Sequence, residues 1–451
     1  MKVEQFEDKN LSHYSYAVLS DSREIVLVDP ARDPQPYYDY ADEHEAKIIG
    51  VIETHPHADF VSSHLQIQQE TGAKLFVSKL LKAEYSFIAF DEGAVLEFGD
   101  VKLKSFNTPG HSPDSISVVL EHESKDRAVF TGDTLFIGDC GRPDLREKGE
   151  ELDLKREELA KKMYSSLRNK LMLLDDDVTV YPAHGAGTLC GKALSTANSS
   201  TIGAEKLGNW SLQQMSESEF VTALTADQPF IPQYFPYDVD LNKKGAAALE
   251  LSLGKIALGR KIDKAEDSKL LDPEVLIVDT RNSAVYKKGH LKNSVNIMDG
   301  EKFETWLGTL VAPGDSFYLA GVDEGALVAL TKRIAKIGYE PFIKEAFVLD
   351  FGVEASENLN LSAFKENLSA YTIVDIRNES EVKEKPVFAD AINVPLPELN
   401  TRFSEIPTDK PVVVHCAGGY RSAAGSSLLE SKLDAKVYDL SDHIKEFYRE
   451  N

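Results

Sequence analysis

Cysteine is scarce in this 451-residue chain: there are three, Cys140, Cys190 and Cys416. That is too few for a disulfide framework, and an odd number leaves at least one thiol free. A reducing compartment, with thiols used for packing or chemistry, is therefore expected. Long apolar runs are missing as well. No stretch approaches the roughly 20 apolar residues that a membrane-crossing helix needs. The opening Met1-Lys2-Val3-Glu4-Gln5-Phe6-Glu7 has no apolar run behind its lysine, which argues against a secretory leader. Positive charge is in deficit, 50 Lys and Arg against 74 Asp and Glu, a formal net charge of −24. Such a chain repels phosphate backbones and makes a poor nucleic-acid partner. The expectation is a soluble, cytoplasmic protein whose partners are small molecules. Its hydrophobic share of 42% and aromatic share of 9% are those of a globular protein. The length exceeds one ordinary core and predicts two to four domains.

Along the first half, short apolar strands alternate with helices and loops. Strands are read at Glu24–Asp29, Ile48–Glu53, Lys74–Val77, Val101–Phe106, Ile116–Leu120, Ala128–Phe130 and Val178–Tyr181, with helices from Asp59 to about Thr71 and from about Glu150 to Leu173. Residues 205–250 read as a connecting extension without chemistry. Beyond it lies an internal repeat. Val278-Asp279-Thr280-Arg281-Asn282 recurs as Val374-Asp375-Ile376-Arg377-Asn378, an offset of 375 − 279 = 96. In each copy a strand, a loop and a helix follow, the pattern of a parallel-sheet α/β unit.

Four polar clusters stand at strand ends: Thr54-His55-Pro56-His57-Ala58-Asp59, Thr108-Pro109-Gly110-His111, Thr131-Gly132-Asp133 and Tyr181-Pro182-Ala183-His184. Their imidazoles and carboxylates suit a divalent cation, and their position in loops after strands lets them converge. This stretch, residues 1 to about 200, resembles the metallo-β-lactamase superfamily, whose first motif is His-x-His-x-Asp-His. Phe60 stands where that motif has its last histidine, which points to one metal rather than two. His64 lies a turn further on and reads as a packed or surface histidine. Within the superfamily, Gly141-Arg142-Pro143-Asp144 after Asp133 is similar to the persulfide dioxygenases. That resemblance implies one Fe(II) per chain held by His55, His111 and Asp133, with His57, Asp59 and His184 behind them as orienting residues. Zinc is the alternative ion, and a zinc thioester hydrolase of the glyoxalase II kind is the alternative activity. Arg142 reads either as a group steering an anionic thiol substrate, held by Asp144, or as half of a structural pair. Cys140 reads as structural. Cys190, close after His184, reads either as a persulfide carrier or substrate contact, its pKa lowered by Lys192, or as a packed thiol.

Near the C-terminus, His415-Cys416-Ala417-Gly418-Gly419-Tyr420-Arg421-Ser422 joins an apolar strand to a helix. A cysteine there sits over a helix N-terminus, where backbone N–H groups favour the thiolate. The glycines allow a tight curl, and Arg421 adds positive charge to the same pocket. The segment resembles the rhodanese active loop, and its six residues from Cys416 to Arg421 suit sulfur rather than phosphate. Subtracting 96 puts Ala320 and Gly325 at these positions in the first copy, which is thus expected to be silent in sulfur transfer. The expected architecture is α+β and α/β multidomain: an αββα metallo-β-lactamase sandwich with its extension over 1–250, a silent rhodanese-like domain over 255–355 and an active one over 357–451. The order of parts resembles persulfide dioxygenase–sulfurtransferase fusions of sulfide detoxification. It implies glutathione or coenzyme A persulfide and O2 as substrates, sulfite and thiosulfate as products or co-substrates, and leaves room for a homo-oligomer.

Overall fold

The computed structural model describes residues 1–145, 152–192 and 194–448, without the side chains of 152–154. The chain divides into two compact units, residues 1–252 with 335–338, and 253–334 with 339–451.

The first unit holds two mixed six-stranded sheets. One runs in chain order, β1 (Lys2–Asp8), β2 (His13–Leu19), β3 (Glu24–Val28), β4 (Lys47–Ile52), β5 (Lys74–Val77) and β6 (Ile88–Ala89). The other contains β7 (Val95–Phe98), β8 (Val101–Asn107), β9 (Ile116–His122), β10 (Lys125–Gly132), β11 (Thr179–Pro182) and β12 (Ser200–Thr201). Alternation along β3 shows how the layers form. Val26 and Val28 join Val118, Leu120 and Phe130 between the sheets, whereas Ile25 and Leu27 pack outward on Tyr37, Tyr40 and Ile67. The second sheet buries its outer face, Val119, Val129 and Val180, under Met163, Leu167, Phe220 and Leu224. Helix, sheet, sheet and helix therefore stack as four layers.

The expected helix over 59–71 is shorter, His64–Thr71. Residues 59–63 stay in a loop, because their side chains and amides are tied to groups around them. The charged helix runs Leu152–Asn169, and its expected start at Glu150 lies outside the described residues. The extension carries helices Glu217–Thr225 and Tyr234–Lys244.

The second unit holds two wholly parallel sheets. The first has the order β13 (Leu258–Ile262), β17 (Ile343–Leu349), β16 (Phe317–Gly321), β14 (Leu276–Asp279), β15 (Ser294–Asn296); the second has β19 (Ile392–Asn393), β18 (Thr372–Asp375), β20 (Val412–His415), β21 (Val437–Asp439). The repeated Asp-x-Arg segment is a buried clamp in both. Arg281 reaches Asp279 at 2.6 Å and Arg377 reaches Asp375 at 2.5 Å. Asn296 and Asn393 each donate to the carbonyls of that aspartate and arginine.

Candidate metal centre and sulfur loop

β4 ends at Ile52, and the chain then turns through the histidine-rich loop. Asp29, at the end of β3, holds that turn by accepting from Thr54 N at 2.7 Å and Thr54 Oγ1 at 2.8 Å. Since the Thr54 hydroxyl donates to Asp29, its lone pair is left for His55 Nδ1 at 3.0 Å. His111 directs Nδ1 at the carbonyl of Arg142, 2.9 Å away, and His184 directs Nδ1 at the carbonyl of Ser12, 3.2 Å away. An Nδ1 that faces an acceptor carries a proton, which turns Nε2 of each ring towards the pocket as the atom able to bind a cation. The three Nε2 atoms converge on one carboxylate. His55 and His111 lie 3.8 and 3.4 Å from Asp133 Oδ2, and His184 lies 3.6 Å from Oδ1.

Among the described residues no hydrogen-bond partner within normal geometry meets either oxygen of Asp133, His184 Nε2 or Asp59 Oδ1, although all are buried. Buried acceptors without partners are costly, and a cation held by such a group offsets that cost. His55, His111 and Asp133 form one donor set close enough for an ion; His57, Asp59 and His184 form a second, and Asp133, His184 and Cys190 a third. The residues thus fit a metal of imidazole and carboxylate preference.

His57 is held differently. Its Nε2 lies 3.1 Å from Asp29 and 3.3 Å from Glu53, two carboxylates that sequence reading left out. Their charges outweigh the burial that would strip His57 of its proton and raise its pKa. Phe60 is buried with its ring centroid 4.3 Å from His57 and 3.9 Å from His13. A phenyl ring therefore fills the place beside Asp59. His64 is also fully buried, 3.5 Å from Glu53, and burial lowers its pKa to about 3.

The loop after β10 closes the pocket. At Gly141 a Cβ would lie 2.0 Å from the Asp133 carbonyl, so glycine is required there. Arg142 makes a bidentate pair with Asp144 at 2.6 and 2.7 Å and also donates to the carbonyls of Leu189 and Phe230. With 1% exposure its charge is fully engaged. Through its backbone and guanidinium Arg142 links the His111 loop to the Cys190 loop, the contacts of the structural pair that the motif allowed.

Lys192, expected to lower the pKa of the Cys190 thiol, has its ammonium elsewhere. Its ammonium donates to the carbonyls of Ala223 and Ala226, where the helix Glu217–Thr225 ends. It caps that helix instead of facing Cys190. The Cys190 thiol, 1% exposed, is pushed up by burial and by the charges of Asp59 and Asp133. Cys140 is equally buried and its pKa is likewise raised by burial. The extension, read as free of chemistry, holds the metal loop: Asn242 donates to the carbonyls of His57 and Phe60 at 2.8 Å each and accepts from Ser62 N at 2.9 Å. A lone asparagine 180 residues from its partner leaves no trace in a sequence.

Cys416 follows β20, and its sulfur receives the N–H groups of Gly419 at 3.2 Å and Ser422 at 3.3 Å. Gly419 has φ 101°, and a Cβ there would press Ser441 and Asp442 at 3.1 Å. Arg421 does not stand free beside the thiol. It forms a two-pronged pair with Glu381, both contacts 2.7 Å. The other lobe contributes to this loop: the Tyr420 hydroxyl donates to the Met298 carbonyl, and the Arg421 guanidinium lies 5.9 Å from the Trp306 ring.

The sheet register revises the count in the first copy. Asp279 pairs with Ala320, whereas Asp375 pairs with His415, an offset of 415 − 320 = 95. The following helices start at Glu324 and Tyr420, an offset of 96. The first copy's loop is therefore one residue shorter. Gly321, not Ala320, takes the cysteine's place, and Gly325 that of the arginine. No thiol or guanidinium stands at either position.

The sequence profile of the metallo-beta-lactamase superfamily matches residues 9–184, and that of the rhodanese-like domain matches 263–358 and 360–450. The mitochondrial persulfide dioxygenase of Homo sapiens is 31% identical over 166 residues, 36% of this chain and 60% of that protein. The cytoplasmic hydroxyacylglutathione hydrolase of Arabidopsis thaliana is 33% identical over 176 residues, 38% of this chain and 63% of that protein. The chain thus spans less than two thirds of these relatives' length. A crystal structure of a metallo-beta-lactamase from Staphylococcus aureus subsp. aureus COL is 29% identical, covers 77% of this chain and 99% of its own, and superposes with a TM-score of 0.67. Among the described residues no helix is long and apolar enough to cross a membrane. Sheets, buried donor clusters and matched profiles agree: the chain is a metallo-β-lactamase domain fused to two rhodanese-like domains.

Proposed function

We propose that the chain is a non-haem iron persulfide dioxygenase coupled to a sulfurtransferase. The observation that carries this reading is the convergence of His55 and His111 Nε2 on one buried oxygen of Asp133, at 3.8 and 3.4 Å. Two imidazoles and a carboxylate suit Fe(II), which when bound supplies open positions for a persulfide sulfur and O2. The overall change balances as RSSH + O2 + H2O giving RSH, sulfite and two protons, where RSSH is glutathione or coenzyme A persulfide. Thr54, Ser12 and the Arg142 carbonyl fix the ring tautomers, Asp29 and Glu53 anchor His57, and Asp59 and His184 stand ready to orient water or substrate. Phe60 places a phenyl ring instead of a further imidazole beside Asp59, so the second donor set lacks that ligand.

Cys416 is proposed as the transfer nucleophile, its thiolate held by two loop N–H groups rather than by a base. It takes the outer sulfur of a persulfide and passes it to sulfite, giving thiosulfate. The rival reading is zinc-dependent thioester hydrolysis, favoured by the 33% identity to hydroxyacylglutathione hydrolase. Oxygen consumption separates them. Protein reconstituted anaerobically with Fe(II) and given glutathione persulfide should take up O2 in proportion to the sulfite formed. No uptake, with thioester cleavage by the zinc-loaded protein, would establish the hydrolase.

A further inference from the structure

Glu381 is the third residue of the helix Glu379–Glu384 and has two neighbours: it accepts from Asn378 N at 3.1 Å as part of the cap, and it clamps Arg421 with both oxygens. The first copy of the repeat separates these roles. There the helix Ser283–Lys288 starts at the matching place, capped by Asn282. The matching offset, 378 − 282 = 96, puts Val285 where Glu381 stands. The helix thus forms without the carboxylate, so the cap does not require it. The copy without a transfer cysteine also lacks the glutamate and the arginine, yet it keeps the buried Asp279–Arg281 clamp. What both copies share serves the fold; what only the second has sits around Cys416.

We propose that Glu381 is a specificity-determining residue, which masks the charge of Arg421 so that the Cys416 pocket takes sulfur from alkyl persulfides and releases thiosulfate rather than binding it. The inference rests on the sulfurtransferase reading of Cys416. In the first half-reaction the Cys416 thiolate attacks the outer sulfur of RSSH, the S–S bond breaks, RS⁻ leaves, and Cys416–S–SH forms. In the second, the sulfite lone pair attacks the outer sulfur and the cysteine leaves as thiolate. The proton on the transferred sulfur departs with the thiosulfate and is lost to water. Both halves are redox-neutral overall. A free guanidinium beside the sulfur would hold a dianion such as thiosulfate strongly and slow its departure. A guanidinium paired at 2.7 Å on both prongs offers only its remaining N–H groups and little net charge. The pair is only partly buried, with side chains 14% and 34% exposed, so solvent moderates the effect.

The test uses the full-length chain and measures KM for thiosulfate, with cyanide as acceptor, against KM for glutathione persulfide, with sulfite as acceptor. In Glu381→Gln the thiosulfate KM should fall relative to the persulfide KM by about fivefold to twentyfold, and the gain should shrink in 0.5 M salt. Glu381→Asp, which keeps the charge, should stay near the wild-type ratio. Glu379→Gln, which removes an exposed carboxylate from the same helix without touching Arg421, should not move it. A ratio unchanged or raised in Glu381→Gln overturns the inference. Transfer that survives Cys416→Ser would instead overturn the sulfurtransferase reading beneath it, and the inference with it.

Discussion

Asn242 gives the sharpest test of how the metal loop is built. Its side chain is 2% exposed and makes three hydrogen bonds, to the His57 and Phe60 carbonyls and from Ser62 N. Asn242→Ala removes all three and leaves two carbonyls and one N–H in a place water reaches poorly. A typical bond contributes about 1 kcal/mol net, and a stranded buried partner costs about 1–3 kcal/mol. With partial relaxation the loss is about 3–5 kcal/mol. For a unit of this size that corresponds to a fall in melting temperature of about 6–20 °C. The loop that loses its anchor also carries His55, so iron affinity should drop by about 10- to 100-fold, as when an orienting partner is removed. Calorimetry of the apoprotein and iron titration read both. A melting point within about 2 °C of wild type, together with unchanged iron affinity, would refute the view that the extension holds the metal loop.

Other outcomes follow from the same geometry. Asp133→Asn should abolish stoichiometric metal binding, measured by elemental analysis, while sulfur transfer at Cys416 persists. Phe60→His adds an imidazole beside Asp59 and should raise zinc content from one towards two per chain; no change would mean that another group blocks the second place. Asp144→Asn leaves the buried Arg142 guanidinium without its partner and should cost about 3–5 kcal/mol in denaturant melts. The Arg142 pair outweighs burial and holds the Asp144 carboxyl below its usual range. Its stabilising contribution is therefore complete above the ordinary aspartate pKa and is lost as pH falls through the folded value. The stability difference between wild type and Asp144→Asn should accordingly narrow in acid melts.

Short, alternating strands such as β3, β5 and β9 were legible because one or both faces are buried and the period is two. The helix over 59–71 was overdrawn, since apolar spacing cannot reveal that Ser62 N is already bound by Asn242 and Ser62 Oγ by Glu53. The donor residues at strand ends could be read because ligand chemistry restricts them to a few residue types. Their orientation could not: which nitrogen of His55 or His184 faces the pocket depends on Thr54 and on the Ser12 carbonyl. The partners of charged residues were legible only where they are close in sequence. Arg142 was read together with Asp144, whereas the Ala223 and Ala226 carbonyls that hold Lys192 and the Glu381 carboxylate that holds Arg421 are close in space alone. The one-residue deletion in the first copy's loop was hidden because the flanking motifs keep a constant offset.

The most direct measurement of the central claim is oxygen uptake by matched iron-loaded and zinc-loaded protein given glutathione persulfide. Rapid uptake with iron alone, with sulfite or thiosulfate formed and the activity lost in His111→Ala, is the result predicted. No uptake by fully iron-loaded protein, beside thioester hydrolysis by the zinc form, would contradict it.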